Sequence, residues 1–210
     1  MAVTANSCTH CGTSMPLRSL ALTCSNACRQ AVYRVRKRQA EQDAAAAVPV
    51  ELTSRARWAR HAKKRPMRTD GLWASVTDPS TWSDYATARA SSYGDGIGFV
   101  LAPGDRIVVV DLDHAVDDGK VAAWARRIVD GLPATYTEVS VSGTGLHLWF
   151  RGDVDRGRKF RRGDVAVELY GRDRFIVLGE RVPGYPAVLA ELQDAAAVVE
   201  ALVPDAGSRG

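Results

Sequence analysis

After Cys28 the chain has no cysteine: its four thiols, Cys8, Cys11, Cys24 and Cys28, all lie in the first 28 of 210 residues. A disulfide framework spread through the fold is therefore excluded. No apolar run approaches the roughly 18 residues that a membrane-spanning helix needs. No apolar stretch follows Met1 as a secretory leader would require. There is no GxxxxGK[ST] loop, which removes the P-loop NTPases. Aromatics are few, at 7%. Acidic residues are scarce at one end: residues 1–70 hold 13 Lys/Arg against 4 Asp/Glu, and residues 71–210 hold 15 against 20. What is present, 46% hydrophobic and 25% charged residues, is ordinary globular composition. It leaves room for one domain and a small appendage. The expectation is a cytoplasmic protein with no membrane partner. The charge asymmetry suits a polyanion-binding arm joined to a domain with an acidic site, or a solvated basic surface.

Cys8 and Cys11 form a CxxC, and Cys24 and Cys28 a CxxxC, with twelve residues between the pairs. Two short turns that each present two thiolates can supply the tetrahedron that Zn²⁺ requires, and Gly12 suits a tight knuckle. So short a segment has no apolar core, so bound metal would supply most of its folding free energy. Four incidental cysteines are the bland alternative. His10 is a possible substitute ligand, although inside the knuckle its ring would point to solvent. Arg29–Arg38 follows with helix-compatible residues and five cations, among them Arg34, Arg36 and Arg38, placed to meet phosphates. These thirty-odd residues resemble small zinc-binding segments of actinobacterial and phage proteins. The organisation expected is a zinc segment at 1–38, an Ala-rich linker at 39–54 and a main domain at 55–205. Arg55–Arg68 carries seven basic residues and no acid. Trp58 and His61 are interleaved there, an arrangement that allows base stacking or forms a solvated face.

From Gly94 the pattern alternates between strands and helices. Period-two runs predict strands at Gly96–Ala102, Arg106–Asp113, Tyr136–Val141, Leu146–Arg151, Val165–Tyr170 and Arg174–Leu178. Helices are expected at Lys120–Gly131 and Pro186–Val203. Short turns with one internal and one terminal helix argue for a two-layer α/β (α+β) domain over a parallel doubly wound sheet.

Three places carry residues that a core would not choose. Period two puts Asp111 and Asp113 on one strand face, with Val108, Val110 and Leu112 on the other. Carboxylates about 7 Å apart along a sheet repel unless a cation lies between them, and Mg²⁺ or Mn²⁺ with oxygen ligands answers that need. Such a pair also occurs in calcium loops and glycosyltransferases. The turn Ser142-Gly143-Thr144-Gly145 brings two glycines and two hydroxyls ahead of His147, so backbone amides can face an anion. Glu168 interrupts an otherwise apolar strand. A buried carboxylate is costly alone, and a metal shared with Asp111 and Asp113 removes that cost.

In this order the three elements resemble the archaeo-eukaryotic primase superfamily, in particular the primase-polymerase domain of phages and plasmids. Gly71–Trp82, Gly96–Val100, Val110–His114, Tyr136–His147 and Val167–Phe175 carry the resemblance. Lys64-Arg65-Pro66 is similar to the family's upstream basic-proline segment. The resemblance implies an RRM-like core that polymerises nucleotides on a DNA template. Asp111, Asp113 and Glu168 would hold Mg²⁺ or Mn²⁺. His147, Ser142, Gly143, Thr144 and Gly145, with Arg172 and Arg174, would hold the nucleoside triphosphate. The zinc segment, Lys63, Lys64, Arg65, Arg158, Lys159 and Arg161 would grip single-stranded template or primer. Three features differ from the fullest family pattern: a short basic connection before Glu168, no helicase motor, and a zinc segment outside the core. They leave chain initiation and extension as separate possibilities and make a separate helicase the expected partner. A catalytically inactive zinc-containing single-stranded DNA-binding accessory protein is the main alternative. A metal-dependent nuclease would share the carboxylates without needing the turn before His147.

Overall fold

The computed structural model describes residues 6–15, 21–45 and 48–204, with the side chains of Asn6 and residues 36–45 outside that description. Arg36 and Arg38, expected at phosphates, thus have side chains outside the described residues. The chain divides into two compact units, Met1–Ala47 and Val48–Gly210. None of the described helices is long and apolar enough to cross a membrane.

The first unit has two short paired strands, β1 (Asn6–Ser7) and β2 (Ser14–Met15), then helix α1 (Asn26–Ala45). Its buried apolar content among the described residues is Cys8 and Met15, whereas Leu22, Tyr33 and Val35 are exposed. Burial this slight among the described residues gives the unit little apolar core of its own.

The second unit is a mixed α/β domain with predominantly antiparallel sheets. It opens with α2 (Val50–Thr53), β3 (Trp58–Ala62), β4 (Arg65–Met67) and α3 (Tyr85–Ala90). β5 (Gly96–Leu101), β6 (Ile107–Asp113), β7 (Val116–Asp117), β8 (Lys120–Val121) and α4 (Ala123–Gly131) follow. Next come β9 (Thr137–Val139), β10 (Leu146–Arg151), β11 (Arg158–Arg162) and β12 (Val165–Tyr170). The last elements are β13 (Arg174–Val177), β14 (Glu180–Arg181), β15 (Ala190–Glu191) and α5 (Ala195–Leu202). The larger sheet runs β11-β12-β6-β10-β9-β14, with β15 parallel to the end of β10, and the smaller runs β13-β5-β3-β4.

The period of two assigns each face of β6 to a different layer. Val108, Val110 and Leu112 pack with Leu148, Phe150, Val167 and Leu169 beneath α4 and α5, through Ile128 and Val199. Ile107 and Val109 lie on the opposite face with Trp149, Tyr136 and Tyr170, where Trp58, Phe99 and Leu101 of the smaller sheet cover them. Phe99 meets Trp149 edge-on at 5.9 Å, a favoured aromatic geometry. Asp111 and Asp113 are the next residues on that second face.

Several expected elements differ. The internal helix starts at Ala123 because Lys120–Val121 pairs with β7. The terminal helix is confined to Ala195–Leu202: Ala190–Glu191 pairs with β10, and Asp194 turns with φ +46. Val50–Thr53, expected within a linker, forms α2, and Leu52 is fully buried against the second core. Trp58 and His61, read as available for base stacking or as part of a solvated face, are corrected to interior positions. Both are buried within β3, and the Trp58 indole N–H donates to the Leu52 carbonyl at 3.1 Å.

Candidate active site and metal-binding cysteines

The register of the larger sheet lines up the polar residues. Asp111 lies opposite His147 on β10 and opposite Glu168 on β12. His147 in turn faces Glu138 on β9, and Glu168 faces Lys159 on β11. Glu138 faces Arg181 on β14. One row of six charged or titratable residues therefore crosses six strands, at the distance where directly opposed side chains interact. Asp113, two residues on along β6, is opposite Ala166 and shares the Asp111 face.

Within this row the contacts are short. His147 Nδ1 is 2.9 Å from Glu138 Oε1, and its Nε2 is 3.7 Å from Asp111 Oδ1. The Tyr136 hydroxyl donates to the other Glu138 oxygen at 3.3 Å. Lys159 Nζ donates to Glu168 Oε1 at 2.6 Å, and the Tyr170 hydroxyl donates to Glu168 Oε2. Arg161 and Arg174 approach Glu168 at 3.6 and 3.8 Å. Arg174 also stacks over Tyr170 at 4.4 Å.

The electrostatics follow from these neighbours. Burial pushes the Asp111 carboxyl up to about 6; His147 opposes that shift, while Asp113 and Glu168 add to it. Burial alone would lower His147, but the Glu138 hydrogen bond and charge, with Asp111, outweigh it and raise the imidazole above its ordinary value. Glu168 resists the upward pull of burial and stays below the usual carboxylate range because Lys159 and Tyr170 bond to it. Of the neighbouring carboxylates, Glu168 is thus balanced by Lys159, whereas burial leaves Asp111 keeping its proton up to about pH 6.

A cavity of about 500 Å³ opens over the row, floored by Asp111, Asp113, His147 and Glu168. Ser140, Ser142, Arg174 and Lys64 stand at its walls. In the glycine turn, Gly143 N–H donates to the Ser140 carbonyl and Gly145 N–H to Ser140 Oγ. These two amides are thus occupied, and the turn presents the linked hydroxyls of Ser140, Ser142 and Thr144. Gly143 borders a separate, apolar hollow. Arg172 pairs with Asp173 at 2.9 Å beside a smaller neighbouring pocket. Lys159 and Arg161 point to the Glu168 side of β11, and alternation sends Arg158 to the other. Lys63 and Arg65 are exposed on the β3–β4 hairpin, and Arg34 is exposed on α1.

Sequence reasoning passed over Glu138, the fully buried partner of His147. The signal was available: an acid on the same strand parity as Tyr136, in a short strand otherwise without charge, as with Glu168.

In the first unit, Cys8 and Cys11 lie on the loop after β1, and Cys24 and Cys28 flank the start of α1. Their sulfurs all lie within 4.8 Å of one another, with Cys11–Cys24 and Cys24–Cys28 at 3.5 Å. Four thiolates about 2.3 Å from a tetrahedral ion sit roughly 3.8 Å apart, so the spacing fits such an ion. The Cys11 backbone N–H, then that of Cys24, holds the Cys8 thiol down at about 6. The neighbouring Cys11 and Cys28 thiols push Cys24 up to about 12, as expected where sulfurs crowd without a cation. Gly12, at φ +73, closes the knuckle by donating to the Cys8 carbonyl. Among the described residues these thiols are the one group of His, Cys, Asp or Glu ligands already gathered for a metal. Asp111, Asp113 and Glu168 share a face without that convergence, since Lys159 and Tyr170 hold Glu168.

Comparison with known proteins bears chiefly on the second unit. The family model described as bifunctional DNA primase/polymerase, N-terminal, matches residues 32–195. The DNA primase-polymerase of Nitratiruptor phage NrS-1 is 36% identical over 141 residues, covering 60% of this chain and 19% of that protein. The similarity thus spans about a fifth of the relative's length.

Proposed function

The chain belongs to the bifunctional DNA primase/polymerase N-terminal family, and from that premise we propose that it performs template-dependent nucleotidyl transfer in DNA replication of phage or plasmid type. The observation that carries this reading is the register placing Asp111 between His147 and Glu168 at the floor of an open cavity.

In this reading residues 55–205, together with α2, form the catalytic domain. Asp111, Asp113 and Glu168 would hold Mg²⁺ or Mn²⁺. Such ions, when bound, activate the 3′-hydroxyl and neutralise the departing pyrophosphate. Glu138 accepts the Nδ1 hydrogen of His147 and leaves Nε2 directed toward Asp111 and the cavity. A cationic imidazole there, with Lys64, Arg174 and the Ser142 hydroxyl, binds and orients the triphosphate. Lys159 and Arg161 balance Glu168 and stand beside the passing nucleic-acid backbone, where their contacts are sequence-independent. The four cysteines would hold Zn²⁺ as a structural ion, since tetrahedral thiolate sets suit zinc. Arg34 on the following helix adds a further phosphate contact.

The test is Mg²⁺- or Mn²⁺-dependent incorporation of deoxy- and ribonucleotides on primed and unprimed single-stranded DNA. Asp111→Ala/Asp113→Ala should abolish incorporation, and the unprimed reaction separates initiation from extension. A wild-type protein that binds single-stranded DNA yet is inert with both metals would overturn the catalytic reading in favour of a binding accessory protein.

A further inference from the structure

We propose that Leu72, Trp73 and Tyr93, flanked by Lys63, Lys64 and Arg65, form a stacking platform for the bases of single-stranded DNA at the rim of the cavity. The identification of that strand as template rests on the nucleotidyl-transfer reading; the binding itself does not.

The basic segment 55–68 needs an aromatic partner to grip bases as well as phosphates. Trp58 cannot serve, since it is fully buried between Tyr85 and Phe99. His61 is 6% exposed. The fold presents other rings instead: Leu72, Trp73 and Tyr93 are 61%, 51% and 51% exposed, the first supplying an apolar edge to the two rings. Single exposed apolar residues are common and signify little. These three belong to one braced surface.

The bracing is specific. Trp73 bridges to Met67 on β4, and the Ala74 N–H donates to the Pro66 carbonyl at 3.1 Å. The Ser91 hydroxyl donates to the Thr69 carbonyl at 2.9 Å, tying the loop before Trp73 to the loop before Tyr93. The Arg60 guanidinium donates to the carbonyls of Tyr93, Ala88 and Gly94. Gly71, at φ +91, lies against the Tyr93 ring so closely that a Cβ would stand 2.8 Å from it. The rings are therefore held in place while remaining half in water, which lowers the ordering cost of receiving a base.

The charge fits a polyanion. Lys63 and Lys64 take φ +49 and +66 at the two-residue tip of the β3–β4 hairpin, and both are exposed. The Arg65 guanidinium lies 4.1 Å above the Trp73 ring. Among the described residues none of these three cations is paired with a carboxylate: Asp70 is engaged by Arg68 at 2.6 Å, and Asp95 accepts the Lys63 backbone N–H. Lys64 and nearby Val76 also line the cavity over Asp111 and His147, so a strand leaving the cavity passes Lys64 first. Rings beside cations that no carboxylate pairs suit unpaired bases on a phosphate backbone. A duplex hides its base faces, and the Lys–Arg hairpin offers an ordinary apolar protein partner no complement.

The test uses the full-length protein and a fluorescently labelled dT20 strand, without added Mg²⁺, Mn²⁺ or nucleotide, read by anisotropy across a salt series. Trp73→Ala should weaken binding roughly tenfold, with Tyr93→Ala somewhat less and Trp73→Phe retaining most affinity. The salt slope should stay unchanged in Trp73→Ala, whereas Lys64→Ala should reduce it by about 0.7. Affinity for a duplex of equal length should not respond to Trp73→Ala. Unchanged dT20 affinity in folded Trp73→Ala and Tyr93→Ala, checked by their melting temperatures, overturns the platform. So does unchanged affinity accompanied by lost self-association in sedimentation, which would make a second copy of this chain the occupant. Wild-type incorporation measured alongside separates the two readings: inert protein with a tenfold loss in Trp73→Ala removes only the catalytic reading, and active protein without that loss removes only the platform.

Discussion

At the scale of the single residue, the proposed chemistry turns on what stands behind His147. An imidazole buried to this degree would ordinarily be neutral, because burial disfavours its charge. Glu138, with no exposed surface, reverses the preference through one 2.9 Å contact and fixes which ring nitrogen faces the cavity. A buried hydrogen bond to a charged group is worth about 1.5–3 kcal/mol. Glu138→Ala is therefore expected to lower kcat/KM for nucleotide incorporation about 10- to 100-fold, with much of the loss in nucleotide KM. Glu138→Gln, which retains an acceptor for Nδ1–H without the charge, should recover part of it; steady-state kinetics on a primed template would check both. Equal losses in the two variants would show that charge, and not ring orientation, is what Glu138 supplies.

At the scale of the element, strands and the cysteine unit are held by different means. β6 is specified by its own side chains, apolar on one face and switching from apolar to acidic along the other. Its neighbours β10 and β12 repeat that switch at the level of His147 and Glu168. This much was legible in the residues, because alternation is a local property. The Arg55–Arg68 segment was misjudged for a physical reason. Its cations mask the apolar content of β3, while Arg57 reaches Asp105 at 2.7 Å and Arg60 reaches backbone carbonyls; long stems let charged heads escape a strand with a buried face. The Ala- and Leu-rich stretch after Pro186 resembled helix throughout, yet pairing of Ala190–Glu191 with β10 took precedence over propensity. In the first unit, where burial among the described residues is slight, the proposed metal coordination by the four thiols would take the place of a core. A zinc chelator should release about one ion per chain, expose four titratable thiols and lower helical ellipticity. The melting of the second unit should be unchanged. Calorimetry with and without chelator checks this, and an unaltered first unit would mean that the cysteines carry no structural ion.

At the scale of the whole molecule, the buried Asp111 carboxyl in the floor of the cavity costs stability. Asp111 retains its proton to about pH 6 when folded, against an ordinary carboxyl value of 3.8. Between those values the folded state binds a proton that the unfolded chain has released, so this residue's contribution to stability falls as pH rises from about 4 to about 6 and is level above. A displacement of that size corresponds to about 3 kcal/mol. Asp111→Asn should consequently be more stable than wild type at pH 7, by as much as about 3 kcal/mol, and the advantage should vanish toward pH 4. Urea unfolding of both proteins across this range measures it, and a difference independent of pH would show that the Asp111 carboxyl is not strained by burial. The sequence by itself determined the acids, the histidine and the cysteine spacing, and which of them share a strand face, since these follow from chain-local periodicity. Only the tertiary structure decided that Glu138 backs His147, that Lys159 holds Glu168 and that Trp73 lies outside while Trp58 lies within. Those outcomes depend on register between strands and on which sheet covers which face, and such pairings are set by the packing of segments far apart in the chain.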